Sequence, residues 1–93
     1  LIGGPGKIVQ IDESKFGRRK YQSGRVIEGH WLLGMIEDES EDFRLEMYSK
    51  NQRTSEVLIP LIQQNVAPGS IMHTDQWKAF NELGDCGYIH KTV

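Results

Sequence analysis

Ile8-Val9-Gln10-Ile11-Asp12-Glu13-Ser14 and, much later, Ile71-Met72-His73-Thr74-Asp75-Gln76-Trp77 share one design, a short apolar run that ends in an aspartate. Both runs have the length and side chains of β-strands. Ile8, Val9 and Ile11 are too continuously apolar for a half-exposed strand, which suits a central position in a sheet. If the second strand returns through a helical crossover to lie parallel beside the first, their carboxyl ends point the same way, about 5 Å apart laterally. Asp12 and Asp75 then face each other. Paired carboxylates of this kind hold oxygen-ligated divalent metals, and open α/β sheets bind ligands outside the carboxyl ends of their strands.

The remaining elements follow outward from these two strands. Gly3-Gly4-Pro5-Gly6 precedes the first strand, Lys7 to Asp12, as a linker or turn, so residues 1–6 are expected to be a linker and 7–93 one partial domain. Trp31 to Ile36 and Phe43 to Tyr48 read as an antiparallel hairpin, the second strand alternating Phe43, Leu45, Met47 against Arg44, Glu46, Tyr48. Thr54 or Ser55 offers an N-cap, and Val57, Leu58, Leu61, Ile62 and Val66 form a helical stripe. Pro60 should kink that helix near its start, and Ala67-Pro68-Gly69 should stop it. Ser70 to Thr74 is the next strand, Trp77 to Leu83 a short helix ended by Gly84, and Tyr88 to Val93 a last strand. The order is β-β-β-α-β-α-β, an α/β chain with a mixed sheet.

Ninety-three residues suit one domain. A first residue of Leu rather than Met, and a last residue within an expected strand, suggest a fragment. The single cysteine, Cys86, permits no internal disulfide and favours a reducing compartment. The uncharged stretch from Val57 to Ile71 carries two prolines and four polar side chains, so no membrane span is expected.

A net charge of −2 argues against indiscriminate nucleic-acid binding, but the charge is unevenly placed. Five of the eleven basic residues, Lys15, Arg18, Arg19, Lys20 and Arg25, fall within eleven positions, interleaved with Phe16 and Tyr21 and punctuated by Gly17 and Gly24. A flexible basic loop of this make-up can follow a phosphate backbone, or can simply be solvated. Glu37-Asp38-Glu39-Ser40-Glu41-Asp42 reads as a solvated hairpin turn rather than a metal site, because carboxylates at a mobile tip are poorly preorganised. Trp31 and Trp77 suit packing better than base stacking. His30, His73 and His90 share no zinc-like spacing with Cys86, although His73 lies on the same strand face as Asp75. Glu13 should point away from Asp12 and is a weaker ligand candidate.

The run Ile11-Asp12-Glu13-Ser14-Lys15-Phe16-Gly17-Arg18-Arg19-Lys20-Tyr21, followed by Gly24-Arg25, Glu28-Gly29-His30-Trp31 with Gly34, and Thr74-Asp75-Gln76-Trp77-Lys78-Ala79-Phe80, resembles the Merlin-type DDE transposases and the related XO-group insertion-sequence transposases. The resemblance extends from Gly6 through Val93. It implies a ribonuclease-H-like fold, truncated here before the final catalytic helix, and two-metal cleavage and strand transfer of DNA. Asp12 would be the first metal-binding aspartate, bridging two Mg²⁺ or Mn²⁺ ions, and Asp75 the second. The third acid of the triad would lie on a later helix, so independent activity is not expected. His30 and Gln76 depart from the residues expected at their positions, and neither is a presumed ligand. The partners implied are DNA, as transposon ends and target, and further copies of the chain in the full-length protein, acting in a nucleus or in a bacterial cytoplasm. The reading from another class is a relic or co-opted module that keeps the fold and the basic segment as a contact surface for DNA or protein without turnover.

Overall fold

The structure, a computed structural model, describes residues 1–16, 19–20, 25–26, 30–49 and 53–93. Among these residues one five-stranded sheet dominates, in the order β6-β5-β2-β8-β9, with β2 (Ile8–Phe16) at its centre. β5 (His30–Glu37) and β6 (Phe43–Ser49) continue antiparallel on one side of β2. On the other side β8 (Ile71–Thr74) and β9 (Ile89–Thr92) run parallel to it. The crossover from β6 to β8 is made by α1 (Ser55–Asn65), and a 3₁₀ helix (Lys78–Cys86) links β8 to β9.

Side-chain alternation along the strands divides the sheet into two unlike faces. Val9 and Ile11 of β2, Leu33 and Met35 of β5, and Met72 of β8 pack against Leu58 and Ile62 of α1 and Phe80 and Leu83 of the 3₁₀ helix, forming one buried core. The residues between them point the other way. Ile36 of β5 and Phe43, Leu45 and Met47 of β6 are about half exposed or more on that opposite face. Among the described residues no helix is long and apolar enough to cross a membrane.

Several boundaries differ from those expected of the sequence, each for a physical reason. The first strand does not end at Asp12 but runs on to Phe16, because β5 continues to pair with it as far as Phe16 opposite His30. Residues 1–6 include β1 (Ile2–Gly3), which pairs parallel with β7 (Val66–Ala67) directly after α1, and Ile2 is buried. The second helix is a 3₁₀ helix that passes Gly84 and ends at Gly87, whose φ of 90° is the left-handed conformation that glycine adopts without strain. Pro60 lies inside α1 on its exposed side, where its missing N–H removes one helix hydrogen bond. Thr54 caps α1 through its carbonyl, which accepts from Val57 and Leu58 N–H, and not through its side chain.

The acidic turn is only partly solvated. Glu37 is nearly buried, its Oε1 accepting from Gly3 N–H at 2.6 Å and its Oε2 from the Ser40 hydroxyl at 2.5 Å. These two donors hold its carboxyl below the usual carboxylate range. Asp38, Glu39, Glu41 and Asp42 are exposed as expected.

Candidate metal and nucleic-acid site

The parallel ladder between β2 and β8 pairs Ile8 with Ile71, Val9 with Met72 and Gln10 with His73, and there it stops. Continued two residues further, past the end of β8, the same register would set Asp12 beside Asp75. In-register residues on parallel neighbours share a face. Val9 and Ile11, like Met72 and Thr74, are buried on the helical face, which sends both aspartates to the opposite one. Both are exposed. Asp12 lies in the middle of β2, yet at the point where its parallel neighbour has ended, so its carboxyl has an open flank.

Each aspartate has one oxygen occupied by the local backbone. Asp12 Oδ1 accepts from Glu13 N–H at 2.9 Å, and Asp75 Oδ1 accepts from Trp77 N–H at 2.9 Å. The second oxygen of each is available to an outside ligand. Hard oxygen donors on adjacent strands suit Mg²⁺ or Mn²⁺, although among the described residues no three His, Cys, Asp or Glu side chains converge as a metal cluster. The donor set fits one half of such a site.

Glu13 turns to the helical face, as strand alternation requires. Its side chain, 4 % exposed, pairs with Arg53, whose Nε and Nη2 donate to the two carboxyl oxygens at 3.2 and 3.0 Å. The Arg53 guanidinium lies between two indoles, its Cζ 4.2 Å from the Trp31 ring centroid and 3.7 Å from that of Trp77. Burial raises the Glu13 carboxyl above its ordinary range despite the opposing pull of Arg53, and the nearby charges of Asp75 and Asp12 push the same way. Trp77 in turn meets Phe80 edge-on, with centroids 5.2 Å apart.

His73 sits half-buried on the last rung of the ladder, beside Gln10. The His90 ring nitrogen contacts the Thr74 hydroxyl at 2.5 Å, and burial holds its pKa below the ordinary histidine value. Neither histidine joins a zinc-like set. Trp31 and Trp77 serve as packing, as their sequence reading suggested, but around a cation rather than only within the apolar core.

Of the basic residues, Lys15 is exposed on β2. Arg19 and Lys20 form β3 and pair antiparallel with Arg25 and Val26 of β4, Arg19 opposite Val26 and Lys20 opposite Arg25. A strand end and a small separate two-stranded ribbon therefore stand at the described positions of the expected flexible loop. Arg18 lies outside the described residues.

Residues 3–93 match the family model of the ISXO2-like transposase domain. This chain belongs to the ISXO2-like transposase family. No curated protein matches it. Among solved structures, the catalytic core domain of the HTLV-2 integrase, in a dimeric form with magnesium, superposes with a TM-score of 0.62 at 19 % identity, covering 95 % of this chain and 61 % of that one. The simian T-cell lymphotropic virus intasome in complex with the PP2A regulatory subunit B56 gamma superposes with a TM-score of 0.60, also at 19 % identity, covering 96 % of this chain and 34 % of that one. The transposase-family chain thus shares the ribonuclease-H-like fold of integrase cores. It spans about three fifths of the first of those chains and a third of the second.

Proposed function

We propose that this chain is the part of a DNA transposase catalytic domain that supplies the first two metal-binding carboxylates, Asp12 and Asp75, for phosphodiester cleavage and strand transfer. The observation that supports the reading is the parallel register of β2 against β8, which, continued two residues past Gln10 and His73, would bring these two side chains to one face. Family membership supports the reaction class.

In this reading Asp12, on the central strand, and Asp75, just past the end of its parallel neighbour, would hold divalent ions together with a third acid. Such Mg²⁺ or Mn²⁺ ions would supply an activated water or 3′ hydroxyl and charge neutralisation at the leaving oxygen. The hydrogen bonds from Glu13 and Trp77 N–H orient each carboxylate and leave one oxygen of each free. Lys15, Arg18, Arg19, Lys20 and Arg25 lead away from Asp12 in sequence and would track the phosphate backbone of transposon ends or target. Association with further copies of the chain, in a nucleus or a bacterial cytoplasm, belongs to the same proposal.

A thermal melt with and without millimolar Mn²⁺ tests the site directly. Bringing two carboxylates together without a cation costs repulsion, so binding should raise the melting temperature, by about 2.7 kcal/mol of stability at a hundredfold excess over the dissociation constant. Asp12→Asn should abolish the rise and Asp75→Asn reduce it. An equal rise in wild type and Asp12→Asn would place the ion elsewhere, most simply in the exposed acidic turn, and favour a module without turnover. For the basic segment, Arg18→Ala with Arg19→Ala should flatten the salt dependence of DNA binding by about two units; an unchanged slope would return it to solvent.

A further inference from the structure

We infer that Arg53 is a positioning residue that ties the two aspartates to each other through the opposite face of the sheet; the inference rests on the metal-ligand reading above. Arg53 itself touches neither aspartate in the contacts described. It grips the residue that follows Asp12 on β2, Glu13, through both carboxyl oxygens. Its Cζ also lies 3.7 Å over the ring centroid of Trp77, the residue whose N–H donates to Asp75. One guanidinium thus reaches both ligand-bearing segments, while Trp31 of β5 closes its other side at 4.2 Å.

The mechanics follow from strand geometry. Successive side chains of a strand point to opposite faces. Holding Glu13 on the helical face therefore holds Asp12 on the open one. Asp75 lies just past the end of β8, where no ladder hydrogen bond to β2 constrains it. The Thr74 hydroxyl donates to the Asp75 carbonyl, and the Asp75 carboxylate is held by the turn that Trp77 N–H closes onto it, a turn whose indole packs against Arg53. Removing the guanidinium frees the Trp77 turn and the Glu13 side chain together, so the separation of the two carboxylates widens in distribution. A lysine in its place keeps the charge but has neither a planar surface for two indoles nor a fork for a bidentate carboxylate.

Trp31 and Trp77 are the chain's two tryptophans, so intrinsic emission reports on this assembly alone. The test is titration of the 93-residue chain with Mn²⁺, the free ion counted by electron paramagnetic resonance, with the metal-free melting temperature and tryptophan emission recorded alongside. Arg53→Lys and Glu13→Gln should each weaken Mn²⁺ binding about tenfold, the effect usual for partners that orient metal ligands, and Arg53→Lys should shift the emission spectrum. Tyr88→Phe, remote from the aspartates, should lower the metal-free melting temperature without changing the dissociation constant, separating positioning from stability. If Arg53→Lys does not fold, Trp77→Phe, which keeps an aromatic ring against the cation, should still weaken binding several-fold. Affinity within twofold of wild type in Arg53→Lys, or in Trp77→Phe where that variant stands in, overturns the inference when Asp12→Asn abolishes binding. Binding that survives Asp12→Asn unchanged overturns the metal-site reading instead and removes the role assigned to Arg53.

Discussion

The two ends of the central sheet handle buried polar groups in opposite ways. At the end where β2, β8 and β9 begin, each buried polar side chain described has neutral partners. Glu37 accepts from Gly3 N–H and Ser40, the Ser70 hydroxyl bridges Gly4 N–H and the Ala67 carbonyl, and the Tyr88 hydroxyl donates to the Val66 carbonyl at 2.8 Å. At the end where Asp12 and Asp75 lie, the Glu13 carboxyl is raised in pKa by burial and by the nearby charges of Asp75 and Asp12, and the Tyr48 hydroxyl is buried with no hydrogen-bond partner among the described residues. One end is satisfied within the fold and the other is left electrostatically unsettled, as the proposed cation site would require.

The largest expected effect that would break this contrast is at Arg53. Arg53→Ala leaves Glu13 nearly buried and without its counter-charge; for a fully buried pair that costs about 3–5 kcal/mol, and the partial exposure of Arg53 reduces it to about 2. Urea melts at neutral pH measure it. The loss should shrink on acidification, as Glu13 takes up a proton, and a pH-independent loss would show that the arginine acts by packing alone.

Glu37→Gln and Glu13→Gln should then respond to pH with opposite signs. The folded pKa of Glu37 is lowered, so its contribution is present above the ordinary carboxylate pKa and disappears as pH falls through the folded value. The stability gap between wild type and Glu37→Gln should close in acid. The folded pKa of Glu13 is raised, so its ionisation costs stability as pH rises from the ordinary value through the folded one. Glu13→Gln should therefore gain on wild type as pH rises. Parallel pH profiles for the two variants would erase the difference between the ends.

The smallest effects come from the two tyrosines. Tyr88→Phe removes a made hydrogen bond at the satisfied end and strands the Val66 carbonyl, for a loss of about 1 kcal/mol. Tyr48→Phe removes a buried hydroxyl at the unsettled end and should be neutral or slightly stabilising. Thermal denaturation of the pair reads both, and equal losses would show that Tyr48 has a partner in solution.

What could be read from sequence divides along the same line between local and distant causes. The order of the sheet and the parallel pairing of the two aspartate-bearing segments were legible because β-branched runs, a helical stripe and the right-handed crossover rule act over short windows. The Phe43, Leu45, Met47 alternation placed β6 to within a residue. Glu37 was misjudged as solvated because its burial depends on Ile2–Gly3 returning to pair with Val66–Ala67, across most of the chain. Of two glycines able to stop the second helix, Gly87 has the positive φ, which no local pattern distinguishes from Gly84. Arg53 carried no signal at all. It is a lone arginine before a helix, and only the fold brings it to Glu13, 40 residues away.

The register that aligns β2 with β8 also makes the proposed site depend on parity. Deleting one residue from β2 between its paired start and Asp12 would turn the aspartate into the apolar core and bring the Glu13 carboxylate round beside Asp75. A carboxylate would still stand there, but one methylene longer and severed from its arginine. Loss or gain of a residue at the exposed tip of the acidic turn leaves that count untouched. Among variants of this chain, length changes should therefore be eliminated within the first half of β2, even where every individual residue type along the strand would be acceptable.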